Sequence, residues 1–294
     1  MNILEHVEIT FDHEYTKKLH DKVAARFGST TPRNATHASD LYGCLLKAWL
    51  KKRVPREDWL DSGNDDPLLT WGQGLMFEDL VSEGDRQSPL AYCFKCSAVS
   101  SPGRDVKGNE QETCPVCNER WLIGTPDYID EGVLHEAKQT RKSQRRGPVD
   151  APWWIEQLAT YILFQRRSNP SSPQGWGRIV ANWLMGDYGE KRKGFRPRAP
   201  RSELDAFQIR FPDDEAFWAE WEGEILRRKQ IVEGDERPLL SFPGDPLVDN
   251  PRYTWECPSC PVGKVGECPN WRWDDEDREI IAVEETKEVE DELR

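Results

Sequence analysis

The feature that most restricts how this 294-residue chain can fold is the spacing of its cysteines. Cys93-Phe-Lys-Cys96 is followed, after 17 residues, by Cys114-Pro-Val-Cys117. Each CxxC pair presents two thiolates from one tight turn, and two such turns close a tetrahedral four-thiolate site. Zinc is the expected ion. With every ligand position filled by protein, it is expected to fold residues 93–118 and to catalyse nothing. The segment then reads as a zinc ribbon inserted between other elements, with a surface open to DNA or a protein partner.

Four further cysteines remain. Cys257-Pro-Ser-Cys260 and Cys268 form a CxxC-x7-C group one ligand short of a set, and Cys44 is the one left to complete it. Such a site ties the N-terminal region to the C-terminal region. Four thiolates suit either Zn²⁺ or an iron–sulfur cluster, and spacing does not choose between them. Clustered cysteines fit metal binding in a reducing compartment better than disulfides. The start, Met1-Asn-Ile-Leu-Glu-His6, lacks the basic and apolar regions of a signal peptide. No apolar run approaches the roughly 20 residues that span a bilayer, and mean hydropathy is −0.79 with 32% charged residues. The expectation is a cytoplasmic protein (host cytoplasm if viral) with no membrane partner.

The net charge of −13 argues against nucleic acid only until its distribution is read. Residues 274–294 carry 11 acidic and 3 basic side chains, a net of −8, which leaves −5 for the rest. This tail is expected to be disordered. Two basic clusters stand out: Lys138, Arg141, Lys142, Arg145 and Arg146, and Lys191, Arg192, Lys193, Arg196, Arg198 and Arg201. Either can line a phosphate path or be ordinary solvated surface.

Periodicity places a helix around Glu14–Phe27 and an amphipathic helix from Ser39 to Arg53, capped by Ser39 or Asp40. A further helix spans Trp71–Ser82. Trp153–Gln165 is a strong helix, with Trp154, Leu158, Tyr161 and Ile162 at helical spacing. Trp176–Gly186 reads as a buried strand, Phe207–Phe211 as a short strand, and Asp214–Val232 as a helix. The organisation expected is an N-terminal helical region (1–70) bearing the first cluster cysteine, and a core (71–240) interrupted by the ribbon (93–118). A cysteine-rich segment (241–273) and the acidic tail follow. A helix, three strands, a helix and another strand imply a mixed α/β core.

The segment from Leu122 to Lys138 reads as two strands joined at Glu131-Gly132. Side chains alternate along a strand, so Glu136 and Lys138 share a face. With a two-residue turn Asp130 pairs with Val133, and Asp127 falls opposite Glu136. Opposed carboxylates repel; a divalent cation between them removes that cost, and a lysine beside them suits an anionic substrate. Glu78 adds a helix carboxylate, and Gln157 and Tyr161 share a helix face at i,i+4.

Glu78, Gly124–Asp127, Glu136-Ala-Lys138 and Gln157-x-x-x-Tyr161, in that order, resemble the motifs of the PD-(D/E)XK nuclease superfamily, RecB-like branch. With Cys44 before them and Cys257, Cys260 and Cys268 after, the chain is similar to the CRISPR-associated RecB-like exonucleases and their phage relatives over most of residues 37–271. The resemblance implies a restriction-endonuclease-like core, a mixed central sheet flanked by helices. It implies a [4Fe–4S] cluster on those four cysteines, and Mg²⁺- or Mn²⁺-dependent cleavage of DNA, often single-stranded and from the 5′ end. Pathways that use this chemistry include CRISPR adaptation, recombination and repair. Glu78, Asp127, Glu136 and the Ala137 carbonyl would hold the ion. Lys138 would position water or stabilise charge, and Gln157 and Tyr161 would orient the strand. Glu78 stands where relatives commonly have His, and the ribbon is an addition the core does not require. The alternative is a metal-stabilised DNA-binding or scaffold module without catalysis.

Overall fold

The computed structural model describes residues 35–54, 67–82, 88–103, 111–140, 148, 151–171, 174–184 and 203–238. The expected Glu14–Phe27 helix, Cys257, Cys260, Cys268, the acidic tail and most of both basic clusters lie outside these residues. Among the described residues, the chain is a mixed α/β structure with two mixed sheets, helices against them, and a cysteine cluster.

The first sheet has the order β1-β4-β2-β3, from β1 (Thr36–His37), β2 (Leu90–Tyr92), β3 (Val99–Ser100) and β4 (Leu122–Gly124). β1 runs parallel to β4, and β2 antiparallel to both β4 and β3. The second has the order β5-β6-β7-β8, from β5 (Tyr128–Asp130), β6 (Val133–Thr140), β7 (Trp176–Trp183) and β8 (Glu203–Arg210). β6 and β7 are parallel, while both outer pairs are antiparallel. A parallel neighbour needs a crossover, and α3 (Pro152–Ser168) lies between β6 and β7 in sequence.

The sequence reading takes Leu122–Asp130 as one strand. The chain instead leaves the first sheet after Gly124 and enters the second at Tyr128. Pro126 accounts for the break: it has no N–H to give a ladder, and it restricts Thr125 before it. The single amphipathic helix expected from Ser39 is also divided, into a 3-10 turn (Ala38–Leu41) and α1 (Leu45–Lys51). Neither Ser39 nor Asp40 caps α1; Cys44 Sγ accepts from the Lys47 N–H at 3.4 Å. Asp40 instead accepts from the His37 N–H at 3.2 Å. The region before residue 70 also supplies β1 to the first sheet, where only helix was expected.

Both faces of the second sheet are covered at its centre, so Val133 to Ala137 are all buried. On one face, α3 brings Trp154, Leu158 and Ile162 against Leu134, Ile179 and Ala181. The approach is close: a side-chain carbon at Gly177 would sit 2.9 Å from Leu158 Cδ1. On the other face, α2 (Pro67–Val81) presses Phe77 onto Ala137 and Val180. Helix α4 (Glu215–Glu233) closes the main core with Trp218, Ile225 and Val232. Asp214 caps it by accepting from the Ala216 N–H at 2.9 Å.

A buried polar network ties these helices together. Tyr42 donates its hydroxyl to Thr160 Oγ1, which also accepts from Trp221 Nε1 at 3.3 Å. Buried Arg228 reaches Glu224 at 2.6 Å, Glu156 at 3.4 Å and the Leu41 carbonyl at 3.1 Å.

Candidate functional site

The turn between β5 and β6 has the two-residue form. Glu131 and Gly132 both adopt positive φ, 50° and 78°, and Asp130 pairs with Val133. Such a turn matches the twist of the strands it joins. The ladder ends at Tyr128↔His135. One step further, the register brings Asp127 level with Glu136, but Asp127 has left the strand. Its Oδ2 accepts from the Ala137 N–H at 2.6 Å, occupying the edge of β6 that β5 leaves open.

Leu134, Glu136 and Lys138 share the face of β6 toward α3. Glu136 is fully buried, at 0% exposure. Its Oε1 pairs with the Lys138 ammonium, and its Oε2 has no partner among the described residues. Burial, together with the Asp127 charge, pushes its pKa up to about 8 against the opposing pull of Lys138. A carboxyl enclosed this way resists ionisation unless positive charge is supplied. Burial alone would lower the Lys138 pKa, but Glu136, Asp127 and Glu78 hold it above its ordinary value. Lys138 Nζ also donates to Gln157 Oε1 at 3.3 Å. Gln157 Nε2 in turn donates to the Tyr161 hydroxyl at 2.8 Å. The phenol titrates far above its usual range, through burial first and then the charges of Glu136 and Asp127. Glu78 follows Phe77 on α2, and its charge raises the pKa of both Glu136 and Lys138.

The six side chains singled out from sequence therefore form one electrostatic neighbourhood, and Glu136, Lys138, Gln157 and Tyr161 are joined by direct contacts. The carboxylates of Glu78, Asp127 and Glu136 do not all close to within 4.8 Å of one another, as the thiols of the cysteine cluster do.

The cysteine cluster is closed. Cys93, Cys96, Cys114 and Cys117 bring their sulfurs within 4.8 Å of one another, with Cys93–Cys117 at 3.4 Å and Cys96–Cys114 at 3.6 Å. Four ligands about 2.3 Å from a tetrahedral ion stand about 3.8 Å apart, so the set fits a metal ion. The two turns repeat one another. Cys93 N–H donates to Ala98 O at 2.9 Å and Cys114 N–H to Glu119 O at 2.8 Å, while Ser97 and Asn118 take positive φ. Burial pushes the Cys93 thiol up to about 12. At Cys114 burial acts in the same direction, but N–H groups of Val116 and Cys117 overcome it and bring the thiol down to about 7. Trp121 packs beneath the cluster and donates its indole N–H to Gln111 O at 2.7 Å. β2 runs into Cys93, and β4 leads from Trp121 toward Asp127.

Sequence reasoning missed the Tyr42–Thr160–Trp221 network and the environment of His135. That ring stacks on Tyr128 at 4.4 Å, donates from Nδ1 to Val133 O at 2.9 Å and accepts at Nε2 from Arg178 at 3.2 Å. Burial lowers its pKa. The Tyr128↔His135 register was available from the turn, but the His135↔Arg178 pairing of β6 with β7 was not.

No helix among the described residues is long and apolar enough to cross a membrane. No protein-family model and no curated protein matches the chain. Among solved structures, it is similar to one titled "Crystal structure of SSO0001", with a TM-score of 0.46 and 15% identity, covering 87% of this chain and 96% of that one. A likeness of that degree assigns neither a fold family nor an activity.

Proposed function

We propose that the chain is a metal-dependent deoxyribonuclease of the PD-(D/E)XK superfamily, RecB-like branch, acting on single strands or free DNA ends. The observation that carries this reading is Glu136: a buried carboxylate with an unpartnered oxygen, set among Asp127, Glu78 and Lys138. Burying a carboxylate with incomplete partners is costly, and a further acid nearby adds to that cost. A fold keeps such an arrangement where a cation completes it. Oxygen donors of this kind suit Mg²⁺ or Mn²⁺, and Glu78, Asp127, Glu136 and the Ala137 carbonyl are the groups that would hold the ion. When bound, the ion supplies polarisation of the scissile phosphate and lowers the pKa of a water beside it.

The protein's own groups do the rest. Lys138, kept charged by three acids, offers a fixed cation to the negative charge that develops on phosphorus oxygens. Gln157 holds the lysine amine, and Tyr161 holds Gln157, so the ammonium cannot swing away. Asp127 is fixed by the Ala137 N–H. In this reading the four thiols of the ribbon carry zinc in a structural role, the core is restriction-endonuclease-like, and Cys44 with Cys257, Cys260 and Cys268 carries a [4Fe–4S] cluster. A cytoplasmic location accompanies it.

The test is degradation of labelled single-stranded DNA in Mn²⁺. Lys138→Ala and Asp127→Ala are expected to abolish it while the circular dichroism spectrum is unchanged. Full activity in both variants removes the assignment.

A further inference from the structure

The face of the second sheet opposite α3 is covered by α2 over Ala137 and Val180 only in part. Beside that footprint, which reaches Tyr128, the register aligns one row across all four strands: Tyr128, His135, Arg178 and Gln208. Trp176 and Arg210, themselves cross-strand partners, lie in the next such row on the same face. The row begins one residue after Asp127, and Glu78 on α2 belongs to this side of the sheet.

Two properties of this band point to a ligand. Arg178 lies over the Trp176 ring at 5.4 Å and Arg210 at 5.8 Å. Neither guanidinium is in an ion pair among the described residues. The indole and the accepting His135 Nε2 orient Arg178 without neutralising it. Tyr128 is half-exposed and backed by His135 at 4.4 Å, so one aromatic face is supported from behind. Around them Arg210, Gln208, Ala206 and Leu204 are exposed, Leu204 at 62%. Asp130, exposed at the end of β5, is the acid of this face nearest Tyr128 and His135. Fixed arginines next to a supported ring are what a flexible polyanion with stacking groups requires.

We propose that this band is a track that binds a single-stranded nucleic acid where it rounds the β5 edge at Asp127, on the face of the sheet away from Glu136 and Lys138, with phosphates on Arg178 and Arg210 and a base on Tyr128. For the choice of nucleic acid it rests on the nuclease reading; for its location it does not. Duplex DNA is disfavoured because its bases are already stacked and offer no face to Tyr128.

The test is anisotropy of a short labelled oligothymidine with the full chain, in Ca²⁺ to suppress turnover, across a salt series. Arg178→Gln keeps a donor for His135, and Arg210→Gln alters an exposed side chain, so both are expected to fold with an unchanged melting midpoint. Each should weaken binding roughly tenfold and reduce the slope of log K against log salt by about 0.7. Unchanged affinity and slope in the arginine variants overturn the track, even if the parent cleaves DNA. Impaired binding in those variants, with cleavage intact in Lys138→Ala, keeps the track and overturns the active site. Parent protein that ignores oligothymidine but binds polyglutamate through these arginines also overturns the track, in favour of an acidic protein partner.

Discussion

A methyl group added at Gly124 should damage both the fold and the candidate site, for a calculable reason. A Cβ there would stand 2.7 Å from Tyr161 Cε1, 3.0 Å from Tyr161 Cδ1 and 3.0 Å from Phe164 Cε2. Carbon atoms pack favourably at about 3.5–4.0 Å, so the phenol ring must retreat by roughly 1 Å. It has little room, since Tyr161 is 3% and Phe164 0% exposed. Overpacking of this kind costs about 1–3 kcal/mol. Gly124 has no positive φ, so crowding alone demands the glycine. The displaced ring also carries the hydroxyl that holds Gln157, and Gln157 holds Lys138. The assay is a double-mutant cycle in urea. Tyr161→Ala alone should cost about 3–5 kcal/mol through its cavity. With the ring gone, only the Phe164 contact at 3.0 Å remains, so the Gly124→Ala penalty should shrink and the double variant should be more stable than the sum by about 1 kcal/mol or more. Additive losses would refute the steric account and, with it, the link from β4 to Lys138.

Thr160→Val should leave the Tyr42 hydroxyl and the Trp221 indole without their acceptor, at a cost of about 2–4 kcal/mol, read as a lowered urea midpoint. Glu136→Gln should be neutral to stability below the ordinary carboxyl pKa of 4.5, where the group is protonated folded or unfolded. Between 4.5 and about 8 the folded chain binds the extra proton, so rising pH destabilises the metal-free parent relative to the variant. Thermal melts in chelator should therefore diverge over that window, and parallel curves up to pH 9 would count against the buried acid. Cys93→Ser and Cys114→Ser should each lose one metal ion per chain by elemental analysis, and lose the Trp121 emission of a buried indole. Retained metal would place it elsewhere.

Much of the candidate site's geometry was legible because its signals are local. Alternation put Glu136 and Lys138 on one face, helical spacing paired Gln157 with Tyr161, and Glu131-Gly132 specified a tight turn. The helix expected at Trp153–Gln165 lies within α3, and the strand begun at Trp176 ends at Trp183, three residues early. What failed or stayed hidden depends on distant partners. β1 is two residues long and exists because β4 pairs with it. Cys44 does not look like a cap by residue type, and its sulfur takes that place because the chain breaks at Tyr42-Gly43. The depth of Glu136 follows from two helices covering opposite faces of one strand, which no window of sequence around Glu136 encodes. Pro126 was in plain view, yet its effect on the ladder outweighed the apolar run that Leu122 and Ile123 begin.

Only Thr125, Pro126 and Asp127 separate the last residue of one sheet from the first residue of the other. Asp127 thus hangs from a seam, with a proline as its stiffener and the sulfur knot upstream as its anchor. Slackening that knot would shorten no bond near Glu136, but it would let the seam drift. The enzyme proposed here would then fail by misalignment while its helices stayed intact.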